Sequence, residues 1–501
     1  MLSGNNTYMA KEEEGKERQP EVALFINQSL NYPVNGPFSP HQPYPEYPFE
    51  HLSSQVNPVY EAVRRMFVSM GYDKGNFGKS LWSPLGHIIS PGNKVVIKPN
   101  WVYHHNASGH SFTGMVTHSS VIRALLDYII IALKEEGEII IGDAPVQAAD
   151  FSAILANSQI ESVVSFVSER TQVEIRIDDF RREMTVRENG LVLGRTFRQG
   201  DDFVEVNLEH NSFLSSIGKS YEQFRVTNYD KDRMSQYHNL YDHIYVIHRS
   251  IFEADAVISI PKLKTHRKAG FTSCLKNTIG INCQKDCLPH HRRGSNEEGG
   301  DAYCRRSFLK RIKEILYESL DKTCSLARQR FYNTCINNID RLIKLLSIGS
   351  EFEGSWYGND TLWRTILDIN RILLYADSNG ALLDRRQRKV LYVVDGIIAG
   401  EGEGPLEPTN RDLGLMAAGE NPLVVDLVIS KVIGFDYKKI PCLFHAVNSS
   451  CLWNSKFSND DIWVNSNSHQ AIRLKDLDVD LRLEPSSGWK GHIEQIPKSS
   501  Q

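Results

Sequence analysis

The sequence of 501 residues has no long apolar run. Its longest one, residues 128–133, is far shorter than the roughly 20 residues with which a helix crosses a bilayer. The N-terminal residues 1–20 are polar and charged, a composition that excludes a standard secretory signal. We therefore expect a chain without a membrane span and without a secretory leader.

Cysteine is scarce, and its spacing fits no common framework. The eight cysteines lie between positions 274 and 451 without the pattern of a small disulfide-bonded domain, so we expect a reducing, cytoplasmic location. No C-x2-C pair is present, although zinc and iron–sulfur sites usually contain one. Cys274, Cys283, Cys287 and His290 nevertheless leave one alternative open, an iron–sulfur or other metal-binding redox protein.

An excess of charge of either sign is also missing. The chain has 57 lysines and arginines against 61 aspartates and glutamates, a net charge of −4. This balance argues against general attraction to nucleic acids or membrane surfaces, while a local basic pocket stays compatible with it. With 41% hydrophobic and 24% charged residues, the composition is that of an ordinary globular protein that can bury a large core.

Short apolar segments alternate with helical patterns from about residue 94 onward. Residues 95–97, 139–141 and 390–394 are apolar at every position, residues 256–260 are apolar except for Ser259, and residues 121–133 have the periodicity of a helix. Strands that are apolar on both faces are typical of parallel sheets covered on both sides. The predicted fold is therefore α/β, with a mainly parallel central sheet covered by helices on both faces.

Three segments are expected along the chain. Residues 1–50 form an N-terminal arm, residues 51–445 form the α/β domain, and residues 446–501 form a C-terminal tail packed on that domain. A helical insertion is expected at about residues 305–350, where apolar residues recur at helical spacing. Residues 171–206 alternate in polarity more than the apolar strands do, which suggests an antiparallel addition.

Polar side chains follow each of the four predicted buried strands. In order along the chain they are Lys98 and Asn100; Asp143; Lys262, Lys264 and His266; and Asp395 with Glu401. The carboxyl ends of parallel strands emerge at one edge of a sheet, and ligands bind in the crevice outside that edge. We therefore expect these residues to converge on a common site.

The lysines of this group indicate an anionic ligand. Lys268, Lys276 and Asn277 come soon after the third strand and add to the set. A lysine within about 4 Å of a phosphate or carboxylate gains on the order of 4 kcal/mol at a partly solvated site. Nearby carboxylates would repel that ligand unless a divalent cation such as Mg²⁺ lay between them, so Asp143, Asp395 and Glu401 are candidate metal ligands. The alternative is a purely structural network of ion pairs.

Several histidines are candidates for proton transfer or ligand binding. His118 lies in the segment 117–120 that caps a helix, where its protonated form would be disfavoured. Residues 286–301 have the glycines and basic side chains of a mobile lid, including His290, His291 and Arg292. An ordinary surface loop and a simple capping histidine are the alternative interpretations.

The blocks that carry these residues resemble, in order, a known family. They are KVVIKPNW at 94–101, VTH at 116–118, IGD at 141–143, DAVISIPKLKTH at 255–266, CLKN at 274–277 with Gly280, VDG at 394–396 with EGEGP at 401–405, and NPLVVD at 421–426. Together they resemble the family called domain of unknown function 362, over roughly residues 94–441. Many relatives carry a ferredoxin-like domain with C-x2-C-x2-C runs, which this chain lacks, so the resemblance does not imply an iron–sulfur cluster here.

The functional hypothesis is an enzyme that acts on a small phosphorylated or carboxylated molecule. The anion would be bound by Lys98, Asn100, Lys262, Lys264, Lys276 and Asn277, with His290, His291 and Arg292. His118 or His266 would transfer protons, and Asp143 and Asp395 would act as acid or base or hold a cation with Glu401. A non-catalytic binder of an anionic glycan or nucleotide is a further alternative.

Overall fold

The computed structural model describes residues 21–188, 191–226, 231–449, 462–467 and 471–496. Within these ranges no helix is both long and apolar enough to cross a membrane. Cys451, one of the eight cysteines, lies outside the described residues.

Seventeen strands lie within the described ranges. In chain order they are β1 Val22–Ile26, β2 Lys94–Lys98, β3 Glu138–Asp143, β4 Glu174–Asp179, β5 Glu183–Glu188, β6 Leu191–Phe197, β7 Phe203–Asn207, β8 Phe224–Arg225, β9 Ile244–His248, β10 Ala256–Ser259, β11 Lys262–His266, β12 Gly270–Thr272, β13 His291–Arg292, β14 Lys389–Glu403, β15 Glu407–Gly419, β16 Trp463–Ser466 and β17 Ile472–Arg473.

The described part of the chain also contains twelve α-helices. They are α1 Pro58–Ser69, α2 Ser119–Leu133, α3 Phe151–Ser158, α4 Ile160–Ser168, α5 Lys231–Tyr237, α6 Arg249–Glu253, α7 Cys274–Asn277, α8 Phe308–Asp321, α9 Leu326–Leu345, α10 Leu362–Tyr375, α11 Pro422–Val432 and α12 Pro441–Val447. Helices α8 and α9 pack against each other within the expected helical insertion.

One eleven-stranded sheet organises the molecule. Its order is β17-β16-β1-β15-β14-β10-β2-β3-β4, with β11 paired to β14 and β12 paired to β11. Strands β14, β10, β2, β3 and β4 are mutually parallel. The antiparallel pairs β14–β15, β15–β1 and β16–β17 lie towards the other end of the sheet, and the antiparallel pair β11–β12 is attached to β14. The sequence-based prediction of a mostly parallel central sheet in an α/β fold is confirmed.

The central strands bury side chains on both faces because successive residues of a strand point in opposite directions. Val95 and Ile97 of β2 belong to one apolar core together with helices α1, α2 and α4. Val96, between them, belongs to a second core with helices α10 and α11. This division explains why the strand sequences are apolar at every position rather than at alternate ones.

The segment 171–206 differs in part from the antiparallel addition expected for it. Strand β4 pairs in parallel with β3 and forms the edge of the central sheet. The following strands, β5 and β6, form a separate antiparallel hairpin, and β7 pairs antiparallel with β9. Alternating polarity in β4 therefore reflects an edge position with one solvent-facing side, because antiparallel pairing is not the only cause of such a pattern.

Strand β14 is longer than the sequence predicted. The apolar segment 390–394 ends just before Asp395, but β14 continues to Glu403 because it pairs with β15 over most of its length. Asp395 and Glu401 consequently lie within a strand instead of in a loop that follows one. The N-terminal arm also joins this sheet, since β1 lies between β15 and β16.

Candidate functional site

A buried ion pair forms where β2 and β3 end. Lys98 Nζ lies 2.8 Å from Asp143 Oδ1, and both side chains are almost fully buried. The second carboxylate oxygen of Asp143 accepts a hydrogen bond of 2.6 Å from the backbone N–H of Trp101. The pair stands at the carboxyl edge of the parallel strands, where ligand sites of such sheets lie.

Two asparagines connect this pair to Lys264. Asn277 Oδ1 accepts from Lys98 Nζ at 3.1 Å and from Asn100 Nδ2 at 2.9 Å. Asn100 Oδ1 in turn accepts from Lys264 Nζ at 2.5 Å, and Lys264 also donates to the carbonyl of Met115. Burial and neighbouring cations hold the pKa of Lys264 well below its ordinary value. Residues from four separate blocks of sequence thus form one hydrogen-bonded network.

Gly280 allows this network to pack closely. Its carbonyl accepts from the backbone N–H of Ala144, which holds the loop after α7 against the end of β3. A Cβ atom at Gly280 would overlap both the Asp143 carboxylate and the Lys98 ammonium group. A residue without a side chain is therefore needed at this close approach.

A second lysine–aspartate pair lies on the neighbouring strands. Lys262 Nζ is 3.3 Å from Asp395 Oδ2, and neither side chain is exposed. The hydroxyl of Tyr32, from the N-terminal arm, donates to Asp395 and accepts from Lys262 Nζ at 2.7 Å. The backbone N–H of His118 donates to Asp395 Oδ2 at 2.9 Å. The arm therefore covers this second pair.

His118 caps helix α2 instead of facing a ligand. Its Nδ1 accepts from the backbone N–H of Ser120 at 3.2 Å, and its ring stacks on Tyr32 with the ring centroids 4.0 Å apart. Burial lowers the pKa of His118 to about 4, so the ring is neutral at physiological pH. The sequence predicts that the segment 117–120 caps this helix, and in the structure His118 is the capping residue.

Beside the first ion pair lies a cavity of about 420 Å³. Its polar wall is formed mainly by Asn100, Asp143, His266, Arg267, Lys268, Lys276, Asn277, Lys285 and His290. Five of these side chains are lysines or histidines, so the wall is rich in groups that attract or hydrogen-bond to anions. Small-molecule sites in proteins occupy about 300–1,000 Å³, a range that includes this cavity.

Two lysines of this wall have no carboxylate partner within the residues that the structure describes. Lys285 Nζ donates to the carbonyls of Ile279 and Asn282, both at 3.0 Å. Burial, the dominant cause, lowers its pKa to about 8. Lys276 lies on α7, and burial together with Lys285 and Lys98 lowers its pKa to about 7. Neither lysine forms an ion pair with a carboxylate in the described part of the chain, although the charge of Asp143 opposes the lowering of both pKa values.

The two histidines of the wall are held in different tautomers by the backbone. His290 Nδ1 lies 2.7 Å from the carbonyl of Leu288, so Nδ1 carries the hydrogen and Nε2 is an acceptor. His266 Nδ1 accepts from the backbone N–H of Lys268 at 3.1 Å, so its Nε2 carries the hydrogen and is a donor. Burial lowers the pKa of both rings, that of His290 to about 3, which keeps them neutral.

Two further sequence candidates lie outside this cavity. His291 pairs with Arg225 through β13 and β8 and lines a small neighbouring cleft. Arg292 is 3.3 Å from Asp360 and also donates to the carbonyl of Gly299. Both residues belong to the segment 286–301, which the sequence predicts to be a lid. In the structure, Arg292 bonds to residues just before α10 and His291 pairs with β8, so these contacts attach the segment to the body of the protein.

The carboxylates proposed as metal ligands do not meet. Asp143 and Asp395 each pair with a different lysine, and Glu401 accepts from the backbone N–H of Glu484. At a rise of about 3.3 Å per residue, Asp395 and Glu401 are roughly 20 Å apart along β14. Throughout the described ranges, no group of three His, Cys, Asp or Glu side chains is arranged to hold a metal ion.

The cysteines of the alternative redox site do not form such a group either. Cys274, Cys283 and Cys287 are buried among apolar side chains. Burial raises the pKa of all three thiols, which disfavours the thiolate form that binds metals. These cysteines pack as small apolar residues of the core.

Sequence reasoning missed two residues of this region. Lys285 was not selected because it lies in a polar stretch without a motif, and only the fold places it on the cavity wall. Tyr32 lies in the N-terminal arm, far along the chain from Lys262 and Asp395, which it contacts. Nothing in the sequence of the arm indicates this contact.

Comparison with known proteins gives a family but no activity. The family model described as a domain of unknown function (DUF362) matches residues 95–208 and 208–431. No curated protein matches the chain. A crystal structure of a protein from Thermotoga maritima is similar over 71% of this chain and 56% of that one, with 11% identity and a TM-score of 0.28. The chain thus spans just over half the length of that protein.

The family match includes the blocks that build both ion pairs and the cavity wall. Lys98, Asp143, Lys262, Lys276 and Asp395 all lie within the matched residues. The match confirms the resemblance that the order of these blocks indicated. This chain belongs to the DUF362 family.

Proposed function

We propose that this protein is an enzyme that binds a small phosphorylated or carboxylated molecule in the cavity beside Lys98 and Asp143. The observation that supports the proposal is the pair of cavity lysines, Lys276 and Lys285, that lack a carboxylate partner among the described residues. Lys285 is buried and Lys276 is partly buried. A cation held away from water without an ionic partner is costly, and a bound anion would offset that cost.

The neutral histidines supply groups that a reaction would need. His266 Nε2–H can donate to an oxygen of the substrate, and His290 Nε2 can accept a proton from it. Lys98 is neutralised by Asp143, so it keeps the wall in place while Lys276 and Lys285 attract the ligand. Of the lysines that the sequence predicts to bind the anion, Lys98 thus has a structural role and Lys276 has a ligand-binding role.

A thermal-shift screen tests the proposal. Phosphorylated metabolites, nucleotide sugars and small carboxylates are added with and without Mg²⁺, and a compound that binds the native state raises the melting temperature. Lys285→Gln should abolish the shift, whereas Lys219→Gln, at an exposed position outside the cavity, should leave it unchanged. The absence of any shift, or an equal loss in both variants, would contradict the proposal.

Turnover separates an enzyme from a binder. Any compound that stabilises the protein is incubated with it and then analysed by mass spectrometry for a change in its covalent structure. The expected result is a product that the His290→Gln variant forms far more slowly while still being stabilised by the compound. Saturable binding without any product would show a non-catalytic binding protein.

A further inference from the structure

One amine of the cavity differs from the other lysines beside it. Lys98 is paired with Asp143, and Lys285 donates to two backbone carbonyls. Lys276, on the short helix α7, reaches the same cavity, and its ε-amino group makes no hydrogen bond or ion pair with any residue that the structure describes. Its ε-amino group is therefore held at the cavity wall and is available to react.

The surroundings of Lys276 favour the uncharged amine. Burial is the main cause, and the positive charges of Lys285 and Lys98 act in the same direction, whereas Cys442 and Asp143 oppose it. The resulting pKa of about 7 leaves a large fraction of the amine unprotonated at neutral pH. A desolvated lysine beside other cations is the usual arrangement of a nucleophilic amine.

We propose that Lys276 is the nucleophile of this site and forms an imine with a substrate that carries a carbonyl group next to its anionic group. The inference rests on the proposed function, because the anion is what brings the carbonyl carbon to the cavity. Lys285, fixed by its two carbonyl partners, holds the anionic group while Lys276 attacks. The substrate class is thus an oxo acid or a phosphorylated aldehyde or ketone.

His266 and His290 supply the hydrogen bond and the proton transfers that imine formation needs. The nitrogen of Lys276 forms a bond to the carbonyl carbon, and the oxygen receives a hydrogen bond from His266 Nε2–H. His290 Nε2 takes one proton from the nitrogen and passes it to the oxygen, which gives the carbinolamine. It then transfers the second nitrogen proton to the hydroxyl group, the carbon–oxygen bond breaks, and water leaves. One amine and one carbonyl give one imine and one water, with no oxidant or reductant.

Reductive trapping tests the inference on the full chain. The protein is incubated with pyruvate, reduced with borohydride and analysed by intact mass and peptide mapping. The expected product is a carboxyethyl group on Lys276, because borohydride reduces the imine to a stable secondary amine. Acetone has the same carbonyl group without the carboxylate, and it should label Lys276 at least tenfold less.

Three variants and a pH series sharpen the test. Lys276→Gln should lose the label, while Lys219→Gln should keep it. Lys285→Gln should reduce labelling by pyruvate more than labelling by acetone. Since the attacking species is the free amine, the labelling rate of Lys276 should rise with pH around a midpoint near 7. Exposed lysines should show a midpoint near the ordinary lysine value of about 10.4.

The possible outcomes separate the inference from the function on which it rests. If anions raise the melting temperature but pyruvate labels only exposed lysines, the nucleophile is wrong and the anion-binding proposal stands. If Lys276 reacts equally with pyruvate and acetone and no anion stabilises the protein, both are wrong. Selective labelling of Lys276 by pyruvate, with a midpoint near 7, supports both.

Discussion

The two lysine–aspartate pairs at the sheet edge have the same composition and very different surroundings. Lys98–Asp143 borders an open cavity, whereas Lys262–Asp395 is sealed beneath Tyr32 of the N-terminal arm. Lys98 and Asp143 end parallel strands, whereas Lys262 begins β11 and Asp395 lies inside β14, and both pairs are buried. The comparison teaches that a buried lysine–aspartate pair near this edge of the sheet can border an open cavity or be closed off, depending on what covers it.

The largest effect is expected from removal of the sealed carboxylate. Asp395→Ala leaves the Lys262 ammonium group buried without a partner, and breaking such a pair costs about 3–5 kcal/mol. Urea denaturation should show this loss in the free energy of unfolding. Asp201→Ala, at an exposed position, is the control and should change stability little. A loss below about 1 kcal/mol would show that this pair contributes little to the stability of the fold.

A smaller loss is expected when the cavity-side pair is disturbed. Gly280→Ala places a methyl group against Asp143 and Lys98, and forced repacking of this kind costs about 1–3 kcal/mol. The variant should also lose the stabilisation by anions, because the cavity wall shifts. Gly194→Ala meets no atom within 4 Å and serves as the matched control. Unchanged stability and unchanged anion response would contradict the close packing described here.

The contact of the arm with the sealed pair can be tested by itself. Tyr32→Phe removes the hydroxyl that donates to Asp395 and accepts from Lys262, at a cost of about 1–2 kcal/mol. Anion binding at the cavity should be unaffected, since the hydroxyl lies at the other pair. Tyr241→Phe, with a side chain that is largely exposed, is the control. Weaker anion binding in Tyr32→Phe would show that the two pairs act as one site.

The smallest effect is a dependence on pH at the cavity side. The pKa of Lys276 is lowered to about 7 in the folded protein, so the unfolded chain binds more protons between pH 7 and about 10. Stability should therefore rise with pH across this window. Lys276→Gln should raise the melting temperature at pH 6 by about 1–3 °C, a gain that shrinks towards pH 10.

Sulfate gives a second measurement on the same cavity, because its charge does not change over this range. Its stabilising effect on the wild-type protein should be weaker at pH 9 than at pH 6, as Lys276 and Lys285 lose their protons. The Lys219→Gln variant should show the same dependence on pH as the wild-type protein, both in its melting temperature and in its stabilisation by sulfate. A sulfate effect that is independent of pH would mean that these two lysines do not bind the anion.

Much of the site could be predicted from the sequence because parallel strands have a simple geometry. Lys98 and Asp143 follow apolar strands, and such strands end at one edge, so their meeting was predictable. Glu401 was placed wrongly because nothing in the sequence shows that β14 continues past Asp395. The extension of β14 depends on pairing with β15, and pairing is a property of two strands together.

Other features could not be predicted because they depend on contacts between distant parts of the chain. The role of Tyr32 follows from where the arm lies on the body, and that position is decided by the packing of its aromatic side chains. The different characters of Lys98 and Lys276 follow from whether a carboxylate stands beside them. Whether a lysine is neutralised depends on distances of a few ångströms to the nearest carboxylate, and the spacing of residues along the sequence does not determine these distances.

The sequence by itself determined the α/β class, the buried parallel strands and the family, since each depends on the local order of apolar and polar residues. Only the tertiary structure decided which lysines are neutralised, which carboxylate pairs with which lysine and which nitrogen of each histidine is bonded to the backbone. The physical reason is that hydrophobic patterning acts along the chain, whereas the cost of a buried charge depends on every neighbour in space.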